Sequence, residues 1–310
     1  NRRDVEQTGV SLTTENDVLS RSFASAAFFT RGENFRLTNI NMTNLAMDIE
    51  PIHNLNFRIG ATYKTLKSAA PDLFNVNYFD ENGVEKSDIK QTELDLAIKY
   101  TPGRKSAGFG VERSVSNEGR HPILYFSYTK GLKNAFKSDF NYDKLQLFYS
   151  HRLLMGGLGK LNYVIELGKT FGDLPVTLLD AVPGNQTLFT APRTFDLLDY
   201  YEFVTDTYAS LHIEHNFNGR FLSRIPLLRK LNLREIVGVK GVWGEISDKN
   251  LALNASNINY VAPNKPYYEY NVGIGNIFKV FRIDFSWRGN NKEVPGTNNF
   301  AIKGAFGFHF

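Results

Sequence analysis

The chain contains no cysteine and no apolar run of about 18 residues, the length that a transmembrane helix requires. A transmembrane helix is therefore excluded, whereas the lack of cysteine is compatible with an oxidising compartment and decides little. The 36 Lys and Arg residues are interspersed with 32 Asp and Glu residues along most of the chain, so no basic stripe marks a nucleic-acid-binding face. A glycine-rich phosphate-binding loop is missing too.

Helical periodicity is nearly absent, and in its place apolar and polar residues alternate. Successive side chains of a strand point to opposite faces, so each alternating segment predicts a strand with one apolar and one polar face. Residues 1–18 are a strand remnant or a loop, and residues 106–120 are a short extra strand or a folded turn. The predicted strands number about twelve and span 19–31, 40–50, 55–64, 93–100, 121–130, 143–152, 161–168, 202–217, 231–246, 268–275, 281–288 and 299–310.

The last of these segments is the most informative one. Its even positions are almost all apolar and aromatic, and its odd positions are small or polar. A chain that ends on an aromatic residue of the apolar face is typical of membrane β-barrels, in which the final strand closes the barrel. Gly304 and Gly307 lack side chains and weaken strand pairing there. The predicted barrel-closing residues are Phe300, Ile302, Gly304, Phe306, Gly307, Phe308 and Phe310.

The connections between the predicted strands alternate in length, as they do in membrane barrels, where short turns face the periplasm and long loops face outward. A structureless connection as long as 172–200 is usually functional. The basic and apolar connection at 218–230 suits a membrane surface. Counted back from the C-terminus, the connections are 289–298 (long), 276–279 (short), 247–265 (long), 218–230 (intermediate), 172–200 (long) and 153–158 (short).

Charged residues on the polar faces of the strands predict a salt network along the lumen wall, and no cofactor site. The predicted wall residues are Asp206, Glu214, Glu269, Arg282, Asp284 and Arg288. His212 and His215 are three residues apart, so on a strand they face opposite sides and form no metal pair. Ser210 and His212 share a face with Asp206, which leaves a hydrolase site as an alternative, although same-face neighbours lie about 7 Å apart.

The sequence therefore predicts an all-β fold, an antiparallel transmembrane β-barrel, as one domain over residues 1–310. The five strands after the 172–200 loop and the terminal Phe resemble the carboxy-terminal half of BamA- and TamA-type barrels. That resemblance implies sixteen strands, so that about four amino-terminal strands and any periplasmic domain are missing from this chain. It also implies a weak seam between the first and last strands, which makes 299–310 the working element.

A closer resemblance rests on three short segments, namely Gly131-Leu132-Lys133, the stretch from Asn218 to Leu233, and residues 276–282. They look like a Bacteroidota family that carries a carboxypeptidase-regulatory-like domain before a BamA-like barrel of unassigned role. In the wider superfamily the sixth outer loop carries an Arg-Gly-aromatic motif that enters the lumen. The matching candidates here are Arg193 and Phe195, with Thr194 in place of Gly. Arg193 is expected to reach an inner-wall carboxylate such as Glu214 or Asp206.

The resemblance implies protein insertion or translocation at the outer membrane of a Gram-negative bacterium. The alternative is a pore or scaffold subunit of a larger outer-membrane complex without insertase activity, and a barrel hydrolase is the third. We expect a protein that is not an enzyme, that has no cofactor, and that does not bind nucleic acid. Its expected partners are outer-membrane lipid and other outer-membrane or periplasmic proteins.

Overall fold

The structure is a computed structural model that describes residues 2–6, 37–108, 114–115, 120–199, 201–292 and 297–306. Twelve strands of these residues form one antiparallel sheet, in which each strand pairs with the next one along the chain. They are β1 (Arg2–Glu6), β2 (Leu37–Ile52), β3 (Leu55–Ser68), β4 (Asp88–Tyr100), β5 (Ile123–Leu132), β6 (Tyr142–Leu154), β7 (Lys160–Phe171), β8 (Thr207–Asn216), β9 (Arg234–Glu245), β10 (Tyr267–Ile277), β11 (Phe281–Arg288) and β12 (Phe300–Phe306).

Short turns fix the register where the sequence has glycine. Strands β6 and β7 pair from Leu154 opposite Lys160 to Asp143 opposite Phe171. The helical turn Gly156–Leu158 joins them. Its first residue, Gly156, has a φ of 56°, and Gly159, which follows the turn, has a φ of 94°. Only glycine adopts such backbone angles without steric cost, which explains why this hairpin is tight.

The sheet is inverted relative to a protein that folds in water. Apolar residues on its outer face are exposed, and Leu45 on β2 reaches 80% exposure. The inner face buries charged and polar side chains instead. Exposed apolar positions occur along the sheet and include Ile59, Leu94, Phe126, Leu147, Ile165, Leu211, Val239, Val272 and Ile302. Buried polar positions include Gln91, Glu93, Gln146, Glu166, Glu269, Asn271, Asp284, Arg288 and Lys303.

The sheet curls around one loop, residues 172–206. Lys144 on β6 contacts Asp180 of this loop at 2.6 Å, and Lys303 on β12 contacts the carbonyl of Asn185 at 2.7 Å. A buried apolar cluster also joins Leu66 of β3 to Tyr260, which lies beyond β9. Strands that are distant in the sheet therefore surround a common interior. The predicted fold class, an all-β antiparallel barrel, is confirmed.

The two ends of the barrel differ. The long connections after β3, β7 and β9 meet at one end, where Phe74, Leu174 and Tyr260 share the apolar cluster. At the other end, Arg220 Nη1 donates to the Gly157 carbonyl at 2.7 Å, so the basic connection lies beside the β6–β7 turn. The helical segments among the described residues are Ala135–Lys137, Gly156–Leu158, Val176–Leu178, Leu222–Arg224, Pro226–Arg229 and Asp248–Ala252. Within the described ranges, every helix is too short or too polar to cross a membrane.

The structure corrects one strand prediction and decides two stretches that the sequence left open. The strand predicted at 202–217 begins only at Thr207, because Val204–Thr205 pairs with Asp180–Ala181 inside the barrel. Thr205 is therefore fully buried. In the stretch 106–120, Ser106–Ala107 and Ser114–Val115 form a separate two-stranded ribbon. The strand predicted at 19–31 lies outside the described residues, and part of the stretch 1–18 forms β1.

Candidate functional site

The loop that fills the barrel, residues 172–206, is strongly acidic. It carries six Asp or Glu residues and one Arg, a net charge of −5. It continues the chain from the end of β7 to the start of β8, so both of its ends are fixed at the long-loop end. The wall facing it carries buried cations, so charge complementarity accompanies the apolar contacts that hold the loop inside.

Glu269 on β10 is the central anchor of the loop. Its carboxylate accepts hydrogen bonds from the N–H groups of Asp196 at 2.7 Å and Leu197 at 2.9 Å, and from the Tyr267 hydroxyl at 2.6 Å. Lys240 on β9 donates to the Asp196 carboxylate at 2.7 Å. The Glu269 and Asp196 carboxylates are removed from water, where charges persist only when they are paired and hydrogen-bonded.

Two further cations extend this contact to the last strands of the sheet. Arg288 on β11 donates to the Glu202 carboxylate at 2.8 Å and to the Leu197 carbonyl at 2.8 Å. Lys303 on β12 donates to the carbonyls of Asn185 at 2.7 Å and Thr187 at 2.6 Å. The loop is thereby bound to the last four strands.

The charges of this contact balance. The wall contributes three cations and one anion, which are Lys240, Arg288, Lys303 and Glu269. The loop contributes two anions, Asp196 and Glu202. Three positive and three negative groups thus meet at a contact that is largely buried, with Lys240 and Glu202 partly exposed. Loss of one member leaves an uncompensated buried charge, which is strongly destabilising.

The segment Arg193-Thr194-Phe195 lies inside the barrel. The Arg193 guanidinium lies 5.4 Å from the centre of the Phe148 ring on β6, and the backbone of Arg193 has a φ of 59°. Phe195 is fully buried, with its ring 5.0 Å from His212. The Thr194 hydroxyl donates to the Ala191 carbonyl at 2.8 Å. The left-handed residue of this segment is Arg193, so the turn does not require glycine at position 194.

Three predicted wall residues form a second network, separate from the loop contact. Arg282 on β11 pairs with Glu214 on β8 at 2.7 Å and with Asp284 at 2.7 Å. The ion pair crosses β9 and β10, where Gly238 and Gly273 leave room for side chains from neighbouring strands. The absence of side chains at these two glycines allows this long reach across the inner face.

The other predicted polar residues lie apart. Asp206, predicted on the lumen wall, lies immediately before β8, and its carboxylate accepts the Ser247 N–H at 2.7 Å. His212 packs against Phe195 on the inner side, and His215 contacts the Leu158 carbonyl at 2.7 Å. The described contacts of Asp206 and His212 therefore do not converge with Ser210 into a hydrolase site.

The predicted barrel-closing strand pairs with β11 from Phe300 opposite Trp287 to Phe306 opposite Phe281. Phe300, Ile302 and Phe306 are exposed on the outer face, as the alternation predicts. Gly304 lies between the last two of them and contacts the loop through its backbone. Gly307, Phe308 and Phe310 lie outside the described residues.

The residues that hold the loop do not stand out in the sequence. Asp196 lies in a segment without periodicity, so no pattern assigns it a direction, and Glu202 begins the strand predicted at 202–217. Lys240 does carry a signal, since it follows Val237 and Val239 in the alternation of β9 and thus belongs to the inner face. A buried lysine on that face requires an acid from somewhere else in the chain.

Residues 48–274 match the model of the C-terminal domain of a family of unknown function, DUF5686. No curated protein matches the chain. Similar solved structures include BamA from Haemophilus ducreyi lacking POTRA domains 1–3, with a TM-score of 0.47 and 11% identity. That alignment covers 87% of this chain and 55% of the BamA chain, so the chain spans about half the length of that protein.

Two outer-membrane proteins of Pseudomonas aeruginosa are also similar. OccK5 (OpdH) aligns with a TM-score of 0.33 and 12% identity, over 90% of this chain and 72% of its own. OprD aligns with a TM-score of 0.32 and 12% identity, over 88% of this chain and 76% of its own.

Proposed function

The chain belongs to the DUF5686 family of unknown function, through the C-terminal domain that covers most of it, and we propose that it is an outer-membrane β-barrel that takes part in protein insertion or translocation. The bacterial outer membrane is the proposed location. The role is non-enzymatic, with membrane lipid and other outer-membrane or periplasmic proteins as partners. A Bacteroidota origin and a preceding carboxypeptidase-regulatory-like domain belong to the same proposal.

The inverted sheet supports the membrane part of this proposal. Contiguous exposed apolar surface beyond a few hundred square ångströms is rare on proteins that stay in water. Here the exposed apolar positions continue from β2 to β12, with Leu45, Leu211 and Ile302 as examples. Lipid contact gives this surface a favourable solvent, whereas the buried polar lining is satisfied inside the barrel.

The filled lumen is the single observation that carries the insertion or translocation part. A diffusion pore requires an open, water-filled channel. Here Phe195 and Leu198 of the loop are fully buried and pack with Val242 and Tyr267 of the wall. Since buried charges also anchor the loop, solute flow is disfavoured. The wall and the strand edges remain as the surfaces where another polypeptide is handled.

A reconstitution experiment tests this proposal against its alternative. The protein is placed in liposomes, and a urea-unfolded eight-stranded barrel protein is added from outside. Band-shift electrophoresis follows the folding of the added protein, and planar-bilayer recordings measure conductance. We expect faster folding than in empty liposomes and little steady conductance. No acceleration, together with stable open-channel currents, would contradict the proposal and favour a pore.

A scaffold subunit without insertase activity is the second candidate. It is favoured by the packed long-loop end, where three connections share one apolar cluster that includes Phe74, Leu174 and Tyr260. Such an end suits a fixed partner contact. Absence of both acceleration and conductance in the reconstitution experiment is the result that this candidate predicts.

A further inference from the structure

Three connections at the short-turn end of the barrel are joined into one surface, which we call the basic rim. The Arg220 guanidinium donates to the Gly157 carbonyl at 2.7 Å, which joins the first connection to the second. The Asn276 side-chain amide donates to the Asn232 carbonyl at 2.7 Å, which joins the second to the third. In order, they are the β6–β7 turn (155–159), the β8–β9 connection (217–233) and the β10–β11 turn (276–280).

The basic rim is strongly positive. The β8–β9 connection contributes four cations and the β10–β11 turn one, and the three connections contain no acid, so the net charge is +5. All five side chains are exposed, and within the described part of the chain none of them pairs with a carboxylate. Exposed positive charge of this kind is complementary to an anionic partner. The cations are Arg220, Arg224, Arg229, Lys230 and Lys279.

Apolar side chains lie between these cations and are exposed as well. Leu227 is 82% exposed and Phe278 is 91% exposed, and Phe221 and Ile225 belong to the same exposed set. Leaving such side chains in water costs about 25 cal/mol for each square ångström of apolar surface. Exposed apolar residues beside cations on one element are typical of segments that lie in a membrane interface.

Glu235 holds the β8–β9 connection at the outer side of the sheet. In the alternation of β9, its side chain belongs to the same face as Val237 and Val239, which are exposed on the outer face. The carboxylate accepts the N–H group of Phe221 at 3.0 Å and that of Leu222. This contact places the first part of the connection at the outer perimeter of the barrel, next to the surface that faces lipid.

An aromatic group on the outer face marks the depth of the membrane interface near the basic rim. Tyr149 and His151 of β6 and Tyr163 of β7 contact one another through their hydroxyl and ring nitrogen atoms at 3.3 to 3.5 Å. Amphipathic tyrosine rings concentrate at membrane–water interfaces. Tyr163 lies three residues from Lys160, where β7 begins.

That spacing places the β6–β7 turn among the lipid headgroups. Three residues span about 10 Å along a strand, which is roughly 7–8 Å in depth for a strand tilted by about 35–45°. The polar layer on each side of a bilayer is about 5–7 Å thick. Arg220 bonds to this turn and therefore lies at the depth of the lipid phosphates.

We propose that the basic rim binds the phosphate groups of anionic phospholipids in the leaflet at the short-turn end. Short turns of outer-membrane barrels face the periplasm, where the leaflet consists of phospholipid. Guanidinium groups bind phosphate oxygens through two parallel hydrogen bonds, and Leu227 and Phe278 enter the apolar layer beneath them. The inference rests on the proposed function, because it requires the barrel to lie in a membrane. It adds a lipid class and the residues that select it.

Fluorescence quenching by brominated lipid tests the basic rim. Because the chain has no cysteine, Leu227→Cys is labelled with bimane in the full chain, and Val239→Cys reports on the outer face of β9. Each labelled protein is placed in phosphatidylcholine vesicles that contain, as the minor component, either brominated phosphatidylglycerol or the same amount of brominated phosphatidylcholine. We expect both labels to be quenched. Phosphatidylglycerol should be enriched about fivefold or more at position 227 only, since one cation near an anionic surface contributes about that factor.

Charge variants separate headgroup recognition from plain apolar contact. R224Q/R229Q/K230Q removes three exposed cations of the basic rim, and the matched control K137Q/K249Q/K265Q removes the same charge from the long-loop end. We expect the enrichment at position 227 to disappear in the first variant and to persist in the control. Raising the salt concentration from 0.1 M to 1 M shortens the Debye length from about 10 Å to about 3 Å and should also abolish the enrichment.

Two results would overturn the inference. Quenching at position 239 without quenching at position 227 would place the basic rim outside the membrane and favour an acidic protein as its partner. Equal quenching at position 227 by the two brominated lipids, unchanged in R224Q/R229Q/K230Q, would mean lipid contact without headgroup selection.

Two further results separate this inference from the proposed function. Absence of quenching at both positions would reject the membrane location itself, and the inference with it. Failure of the liposome folding assay alongside the expected enrichment at position 227 would reject only the insertion role and would support the phospholipid site.

Discussion

Replacing Glu269 by alanine should release the lumen loop from the barrel wall. The carboxylate accepts three hydrogen bonds from groups removed from water, namely the N–H groups of Asp196 and Leu197 and the Tyr267 hydroxyl. Each donor left unsatisfied costs about 1–3 kcal/mol. Because the loop relaxes in part, we expect a total of about 3 kcal/mol, which is roughly a hundredfold larger population of the displaced loop.

Hydrogen exchange measured by mass spectrometry in detergent micelles checks this expectation. In Glu269→Ala, the amides of Asp196 and Leu197 should exchange roughly a hundredfold faster than in the unaltered protein. Glu269→Gln keeps the shape and one acceptor oxygen, so an intermediate effect is expected. Glu214→Ala is the matched control, because Glu214 is also an inner-wall acid but pairs with Arg282 instead of the loop. Equal exchange of the loop in Glu269→Ala and Glu214→Ala would refute the reasoning.

Three further predictions concern other parts of the barrel. Leu211→Arg places a charge on the outer face and should cost about 2–4 kcal/mol of folding stability in bilayers, with Leu211→Ala as the control in urea titrations. A Cβ atom in Gly238→Ala would collide with the Asn271 side chain, whereas one in Gly241→Ala would make only an ordinary contact. Only Gly238→Ala should therefore lower the folding stability, by about 1–3 kcal/mol in thermal unfolding. The pKa of Asp80 is lowered, chiefly by the hydrogen bond that its carboxylate accepts from the Val84 N–H. That turn should therefore be stable above the ordinary aspartate pKa and loosen as pH falls through the lowered one, and Val84 amide exchange should lose this dependence in Asp80→Asn.

The strands could be predicted from the sequence because alternation is a local property. In β11, for example, Phe281 and Phe285 on one face and Arg282 and Asp284 on the other identify both the strand and its orientation. The lumen side of Glu269 and Arg288 follows from the same rule. Pairing between successive strands also follows, since short turns leave few alternatives.

The partners of the lumen loop could not be predicted in the same way. Whether Val204 and Thr205 extend β8 or turn inward depends on pairing with Asp180 and Ala181, which lie more than twenty residues earlier in the chain. Local alternation favours the longer strand, and the tertiary contact overrides it. The contact of the Arg193 guanidinium with the Phe148 ring also lies outside what alternation indicates, because an arginine can stack as well as pair.

Residue 194 illustrates the limit of reasoning by resemblance. A motif with glycine at the central position suggests a backbone that only glycine adopts. In this chain the positive φ belongs to Arg193, and Thr194 uses its hydroxyl to close a local turn with Ala191. The loop can therefore enter the lumen without the glycine, which the sequence alone does not reveal.

Accessibility of single cysteines at Leu211, His212 and Ile213 tests the central claim most directly. In lipid, Leu211→Cys and Ile213→Cys should react with a membrane-soluble maleimide and resist a water-soluble one, because both positions are exposed on the outer face. His212→Cys should resist both reagents, because Phe195 of the loop covers the inner face there. Reaction of all three with the water-soluble reagent would contradict an outer face in lipid, and its reaction at position 212 alone would contradict a filled lumen.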